Sequence, residues 1–138
     1  MTRLALALYL TLTGLPAQSQ EAMTGESFDN RTKGKVTVFE RFDGLRMGLE
    51  EYHDDRTVRI RVEGESCREG RWFEAEGQIC YTYDGWAERG GIQFHCWFIS
   101  DGPGGMIARP VGEWNPQMYY RITITNAPLK CLAPNLGV

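Results

Sequence analysis

Four cysteines are the side chains of this 138-residue chain most able to do chemistry: Cys67, Cys80, Cys96 and Cys131. Their spacings include no Cys-x-x-Cys pair, so neither a zinc site nor a redox-active dithiol is expected. In an exported protein, four cysteines most simply form two disulfides, for which three connectivities are possible. A hairpin between residues 78–83 and 92–99 would place Cys80 opposite Cys96. That hairpin favours Cys80–Cys96 with Cys67–Cys131, and the other two connectivities stay open.

His95 follows Phe94 and precedes Cys96 on the most apolar segment of the chain. The same hairpin places it opposite Tyr81, on the face that also carries Trp97. This grouping predicts a polar group inside a ligand cavity, with Tyr81, His95 and Trp97 as candidate ligand-binding residues. The structural alternative is a core histidine bonded to Tyr81 or to a backbone carbonyl. No serine stands in a nucleophile elbow and the cysteines are expected to be oxidised, so we predict no catalytic residue and no enzyme.

His53 lies among four carboxylates, Glu50, Glu51, Asp54 and Asp55. Oxygen-rich groups of this kind can bind calcium or zinc, but the spacing does not match an EF-hand loop. We therefore interpret the segment as a solvated acidic turn and predict no metal and no cofactor.

Four tryptophans are a large aromatic complement for a chain of this size. Trp72 and Trp97 fall within predicted strands and are expected in the core. Trp86 and Trp114 fall in predicted loops, and tryptophans in loops are frequent anchors at interfaces. We predict a binding rim if both loops reach the same end of the fold; alternatively, each covers that end as an internal lid.

Residues 1–19 have the pattern of a secretory signal peptide. Arg3 precedes an apolar run over residues 4–15, Pro16 interrupts it, and small residues flank the expected cleavage point after Ser19. The run is too short to span a bilayer, so no transmembrane span is expected in the mature chain. The remainder, residues 20–138, has the length of a single domain. The formal net charge is −3 and no basic cluster occurs, which makes nucleic acid an unlikely partner.

The segments that position these residues alternate with period two, as half-buried strands do. In residues 57–63, for example, Val58, Ile60 and Val62 should face inward and Arg59 and Arg61 outward. Turn residues punctuate the chain about every ten residues, which is typical of sandwiches and barrels. We predict an all-β fold: a small antiparallel up-and-down barrel, or a barrel-like sandwich, of about eight strands. One short N-terminal helix should begin after Thr24 and end near Gly34. The predicted strands are residues 35–41, 45–52, 57–63, 68–74, 78–83, 92–99, 106–109 and 118–125.

Several ordered motifs resemble a group of small exported alphaproteobacterial proteins of unknown function. The resemblance covers residues 23–138 and implies a periplasmic location, but it implies little chemistry. The lipocalin and avidin families also form small meander barrels. Their Gly-x-Trp lies in the first strand, whereas Gly70-x-Trp72 is in mid-chain, so their ligand sites are not transferred. The motifs that carry the resemblance are Gly48-x-Glu50-x-Tyr52, Asp55-Arg56-x-Val58, Cys67-x-x-Gly70-x-Trp72-Phe73, Ile79-Cys80-Tyr81-x-Tyr83, Cys96-Trp97 and Leu129-Lys130-Cys131.

Three functions are compatible with these features. The first is an exported, non-enzymatic binding or accessory domain that holds an unknown small ligand in an aromatic pocket or between its end loops. The second is a protein inhibitor or envelope interaction module that acts through the loops of Trp86 and Trp114. The third is an enzyme, which would need His95 or His53 beside an acid in a cleft. We expect the first.

Overall fold

The computed structural model describes residues 20–85, 94–111 and 118–131. Within these ranges one short helix precedes eight strands. Each strand pairs antiparallel with the next, and β1 also pairs with β8, which closes the sheet into a barrel. The all-β prediction is confirmed, and closure selects the barrel over the sandwich. The elements are α1 (Gly25–Thr32), β1 (Val36–Arg41), β2 (Arg46–Tyr52), β3 (Thr57–Val62), β4 (Arg68–Ala75), β5 (Gln78–Tyr83), β6 (His95–Gly102), β7 (Gly105–Pro110) and β8 (Tyr120–Thr125).

Side chains alternate across the barrel wall as the sequence predicts for β3. Val58 and Ile60 are buried in the interior. Arg59 lies outside, where its Nε donates a 2.5 Å hydrogen bond to Glu69 on β4. The outer arginines therefore bond to neighbours on the surface while the apolar residues fill the barrel, as expected when one face of a strand is solvated.

Helix α1 closes one end of the barrel. Its N-cap is Thr24, whose hydroxyl accepts a hydrogen bond from the backbone N–H of Ser27, and the chain leaves the helix through Gly34 at φ +69°. Both features are as predicted. Phe28 is fully buried, and its ring makes edge contacts with Tyr52 at 5.5 Å and Trp72 at 5.1 Å. The helix thus fills this end of the barrel with the Phe28 side chain, and we call α1 with Phe28 the helical plug.

Both disulfides are present, and they have the favoured connectivity. Cys80 and Cys96 are register partners on β5 and β6. Cys67, just before β4, is bonded to Cys131, 64 residues further along the chain. The first bond reinforces a strand pair that the barrel already contains. The second links the segment after β8 to the segment between β3 and β4.

The β6–β7 hairpin is tighter than predicted. The sequence suggests a turn over residues 101–105, but β6 extends to Gly102, β7 begins at Gly105, and these two glycines pair. Only Pro103 and Gly104 remain in the turn, with Gly104 at φ +77°. Proline followed by a positive-φ glycine is the preferred pair for a type II turn, so two residues suffice to reverse the chain.

Strand β8 also differs from its prediction. It begins at Tyr120, two residues later than expected. The alternation in residues 118–125 predicts that Tyr120, Ile122 and Ile124 share one face. Ile122 is buried in the core and Tyr120 packs against it, but Ile124 is 45% exposed. Ile124 lies two residues beyond the last register pair of β7 with β8, Met106–Ile122.

Candidate ligand-binding site

The two ends of the barrel differ, because helix α1 fills only one of them. Towards the other end lies an internal cavity of about 240 Å³. This volume is just below the ~300–1,000 Å³ typical of drug-sized ligand pockets, and it corresponds to about eight water-sized groups at ~30 Å³ each. Most of the cavity wall is apolar. Its polar or aromatic lining residues are Phe39, Glu50, Tyr81, Tyr83, His95, Trp97 and Tyr120.

Glu50 is the acidic residue in this lining. It lies on β2 and is only 8% exposed. The Tyr52 hydroxyl donates a 2.6 Å hydrogen bond to its Oε2, and the Tyr83 hydroxyl from β5 donates a short one to its Oε1. Each carboxylate oxygen therefore accepts from a different tyrosine.

A third tyrosine extends this network. The hydroxyl oxygens of Tyr81 and Tyr52 are 3.0 Å apart, and the rings of Tyr81 and Tyr83 stack nearly parallel with centroids 6.1 Å apart. When Glu50 is ionised, Tyr52 uses its single proton on the carboxylate, so Tyr81 donates to Tyr52 in that state. All three hydroxyl protons then point along the network towards the carboxylate. We call Glu50, Tyr52, Tyr81 and Tyr83 the carboxylate cluster.

Burial governs the protonation of the carboxylate cluster. Desolvation raises the pKa of Glu50 above its ordinary value, although the hydrogen bonds from Tyr52 and Tyr83 oppose this effect. Desolvation, followed by the nearby charge of Glu50, raises the pKa of each of the three tyrosines well above the usual value. The tyrosines therefore remain neutral hydrogen-bond donors across the physiological pH range.

Tyr52 connects the cluster with the helix at the closed end. Its ring contacts Phe28, while its hydroxyl bonds to Glu50. The plug and the polar floor of the cavity are therefore adjacent layers of the barrel interior.

Three further aromatic residues form another part of the wall. Tyr120 on β8 makes edge-to-face contacts with Phe39 on β1 at 6.1 Å and with Trp97 on β6 at 5.4 Å. Gly48 on β2 makes room for one of them, because a Cβ there would lie 2.7 Å from Cζ of Phe39. We call Phe39, Trp97 and Tyr120 the aromatic wall.

His95 opposes Tyr81 in the β5–β6 register, as predicted, and it lines the cavity. The residue is partly buried. Desolvation lowers the pKa of His95 below its ordinary value, so the imidazole is neutral at neutral pH. It therefore adds hydrogen-bonding capacity to the cavity without adding a positive charge.

Tyr81, His95 and Trp97, the predicted ligand-binding residues on strands, all line this one cavity. Trp86 and Trp114, the predicted loop anchors, lie outside the described residues. The strands that flank these two segments end or begin at the cavity end of the barrel. The flanking residues are Tyr83, His95, Pro110 and Tyr120.

His53 lies elsewhere, after the end of β2 and beside the helix end of the barrel. Its Nε2 is 3.9 Å from Glu51 on the outer surface. Asp55 caps the following turn by accepting from the backbone N–H of Thr57. Among the residues that the structure describes, no three histidine, cysteine or acidic side chains are grouped closely enough to bind a metal ion.

Glu50 is the residue of the site that sequence reasoning missed. The glutamates of β2 read as a sign of a weak strand with polar, solvated side chains. Period two nevertheless puts Glu50 on the same face as Gly48 and Tyr52, and its register partner on β3 is the buried Ile60. An acid that shares a face with a buried tyrosine two residues away was the available signal.

The fold and site together define a class: a disulfide-bonded, eight-stranded antiparallel barrel with a helical plug and an aromatic internal cavity. No family model, curated protein or solved structure matches this chain. Within the described ranges, no helix has the length and apolar character needed to cross a bilayer.

Proposed function

We propose that this protein is an exported, non-enzymatic binding protein that takes a small, mainly apolar ligand into the barrel cavity. The observation that carries the proposal is a 240 Å³ apolar cavity with a buried carboxylate cluster at its floor. Pockets that bind small molecules combine apolar walls with a few fixed polar groups in this way. The carboxylate cluster would orient one polar group of the ligand, and the aromatic wall would contact its apolar body.

Export to the periplasm is part of the same proposal. It is supported by the signal-peptide pattern of residues 1–19 and by two disulfides, which persist in oxidising compartments. A carrier or sensor of small envelope metabolites fits that setting, because a barrel held by covalent bonds keeps its cavity formed without a ligand.

Filling the cavity tests the proposal directly. Ala108 on β7 lines the cavity and is buried, so Ala108→Leu would place additional methyl groups in the ligand space. Ala127→Leu adds the same atoms at an exposed position and serves as the matched control. The probe is phenethyl alcohol, followed by NMR through the methyl groups of Ile60, Met47 and Ile122, which line the cavity.

We expect saturable methyl shifts in the wild type and in Ala127→Leu, and none in Ala108→Leu. Near-ultraviolet circular dichroism checks that both variants keep the native fold. If phenethyl alcohol leaves the cavity methyls unchanged, or if it binds equally to Ala108→Leu, the cavity is not a ligand site.

A specific surface feature favours a second candidate, an inhibitor or envelope interaction module. Several large apolar side chains are exposed where strands end around the cavity, and they flank the segments that contain Trp86 and Trp114. Exposed apolar patches mark interaction surfaces. The exposed residues at this end are Phe42, Leu45, Phe94, Val111 and Met118.

This candidate is tested by removing the patch without touching the cavity. Phe42→Ser combined with Leu45→Ser changes the turn between β1 and β2, and Trp86→Ala changes the segment that joins β5 to β6. Ile124→Ser removes an equally exposed apolar residue from the opposite end of the barrel. Recovery of an envelope protein by the wild type and Ile124→Ser, but not by the other two variants, would favour this function. Equal recovery by all of them would argue against it.

A further inference from the structure

We propose that the ligand of the cavity carries an organic ammonium group, which pairs with Glu50 while its apolar body lies against the aromatic wall. This inference rests on the proposed binding function and names the chemical class of the ligand. It follows from three features of the cavity: an acid with no lysine or arginine among the described lining residues, the two tyrosine hydroxyls that donate to this acid, and the aromatic faces around it.

The charges of the cavity are unbalanced. Glu50 lines it, and no lysine or arginine is among the described residues that do so. His95 is the nearest candidate cation in the lining, but burial holds it neutral. A buried carboxylate is costly unless it is paired. A positively charged ligand would supply the missing partner, whereas an anionic ligand would add a second negative charge in a cavity of low polarity.

The hydrogen bonds of the carboxylate cluster favour the ionised form of Glu50 and oppose the desolvation that raises its pKa. Tyr52 and Tyr83 each donate to one of its oxygens, and the Tyr81 hydroxyl lies 3.0 Å from that of Tyr52. An ionised carboxylate offers about four acceptor positions, and these tyrosines use two. Acceptor capacity therefore remains for the N–H groups of an ammonium ion that enters the cavity.

The aromatic residues suit the same ligand. A cation within about 6 Å of an aromatic ring centroid is attracted to the face of the ring. Tyr81 and Tyr83 stack next to Glu50, and the aromatic wall of Phe39, Trp97 and Tyr120 lines the same small cavity. The ammonium group of such an amine would pair with the Glu50 carboxylate, and its short apolar or aromatic body would pack against the rings of the aromatic wall.

Three probes of matched size distinguish this class from the alternatives: phenethylamine, phenethyl alcohol and phenylacetate. Their affinities are measured by isothermal titration at about pH 8, where an ordinary carboxyl is ionised. We expect phenethylamine to bind at least about tenfold more tightly than phenethyl alcohol, and phenylacetate to bind more weakly than either. Glu50→Gln keeps the size of the side chain and should reduce phenethylamine to the affinity of the alcohol.

Acidification provides an independent readout in the wild type. Among the described residues, the titratable groups that face Glu50 or share its cavity are Tyr52, Tyr81, Tyr83, His95 and Tyr120. As the pH falls through the raised pKa of Glu50, phenethylamine should lose its advantage while phenethyl alcohol still binds. His95→Asn serves as the control, because it removes the other group that changes charge in this range.

The outcomes separate the two proposals. If phenethyl alcohol or phenylacetate binds as tightly as phenethylamine, or if Glu50→Gln keeps the preference for the amine, the ammonium inference is wrong and the binding function stands. If none of the three probes binds to the wild type, both are wrong. Should Glu50→Gln fail to fold, the pH dependence of binding to the wild type is the test. An affinity advantage of phenethylamine over phenethyl alcohol that does not change on acidification would then contradict the ammonium inference.

Discussion

Tyr52 and Tyr81, which are 29 residues apart in the chain, place their hydroxyl oxygens 3.0 Å apart inside the barrel. They belong to β2 and β5, which are separated by two strands in the sheet. Their contact therefore crosses the interior and joins opposite walls. Together with the bonds to Glu50, it makes the floor of the cavity a structural element as well as a candidate binding surface, and its stability should depend on pH.

Glu50→Gln should remove a pH dependence of folding. Because the pKa of Glu50 is raised by burial in the folded protein, the folded state binds this proton more tightly than the unfolded state does. Its contribution to the free energy of unfolding is fully present below the unfolded pKa, about 4.3, and is lost as the pH rises through the raised pKa. Relative to the variant, the wild type should therefore lose stability as the pH rises from about 4.3 through the raised pKa of Glu50.

Urea-induced unfolding of both proteins across this pH range measures the difference. The opposite result would be a free energy of unfolding that rises with pH in the wild type relative to Glu50→Gln. It would show that the hydrogen bonds from Tyr52 and Tyr83 outweigh the desolvation of Glu50.

Phe28→Ala should destabilise the barrel by about 3–5 kcal/mol, the usual cost of removing a fully buried phenylalanine. Phe28 is the side chain by which helix α1 contacts Tyr52 and Trp72. Phe42→Ala is the matched control: the ring is exposed and contacts Tyr119 and Arg121 at the surface, so its removal should cost no more than about 1 kcal/mol. Chemical unfolding monitored by tryptophan fluorescence measures both. Similar losses in the two variants would contradict the role of the helix as a plug.

The two disulfides should contribute unequally to stability. In the chain-entropy model, the Cys67–Cys131 bond, with a separation of 64 residues, stabilises by about 4 kcal/mol, and the Cys80–Cys96 bond, with a separation of 16, by about 3 kcal/mol. The double serine variant of each pair should therefore lose these amounts in equilibrium unfolding. If removal of Cys80–Cys96 costs more, the bond matters mainly through the β5–β6 pairing, for which the described residues contain three register pairs.

Gly70→Ala should disturb the site from outside the cavity lining. Gly70 pairs with Tyr83 across β4 and β5, and a Cβ there would clash with the backbone carbonyl oxygen of Thr82 and lie 2.5 Å from Cδ1 of the Tyr83 ring. Both the strand backbone and the ring must shift, so we expect a loss of about 1–3 kcal/mol in stability and weaker binding of phenethylamine. Arg71→Ala, on the exposed outer face of the same strand, should have little effect on either measurement. Unchanged binding in Gly70→Ala would show that the position of Tyr83 does not matter to the site.

Local sequence patterns are sufficient for much of this fold. The cap at Thr24, the alternation in β3 and the end of the helix at Gly34 each depend on residues close together in the chain, and the structure agrees with all three. The sequence predicts the position of the β6–β7 turn correctly but predicts a turn that is too long. Residues next to a turn signal can either form the turn or pair with each other across it. Only the ladder between Gly102 and Gly105 decides between these states.

The composition and spacing of this sequence by themselves determined the class of fold and the common face of Tyr81, His95 and Trp97, and they favoured the pairing of Cys80 with Cys96 without excluding the other connectivities. These properties follow from the period of a strand and the register of one hairpin. Only the tertiary structure decided that Glu50 accepts from Tyr83 and that Tyr52 meets Tyr81. Those contacts join β2 to β5 across the interior of the barrel. The distance between side chains on different walls depends on how the sheet closes, and residues that are close in sequence do not set it.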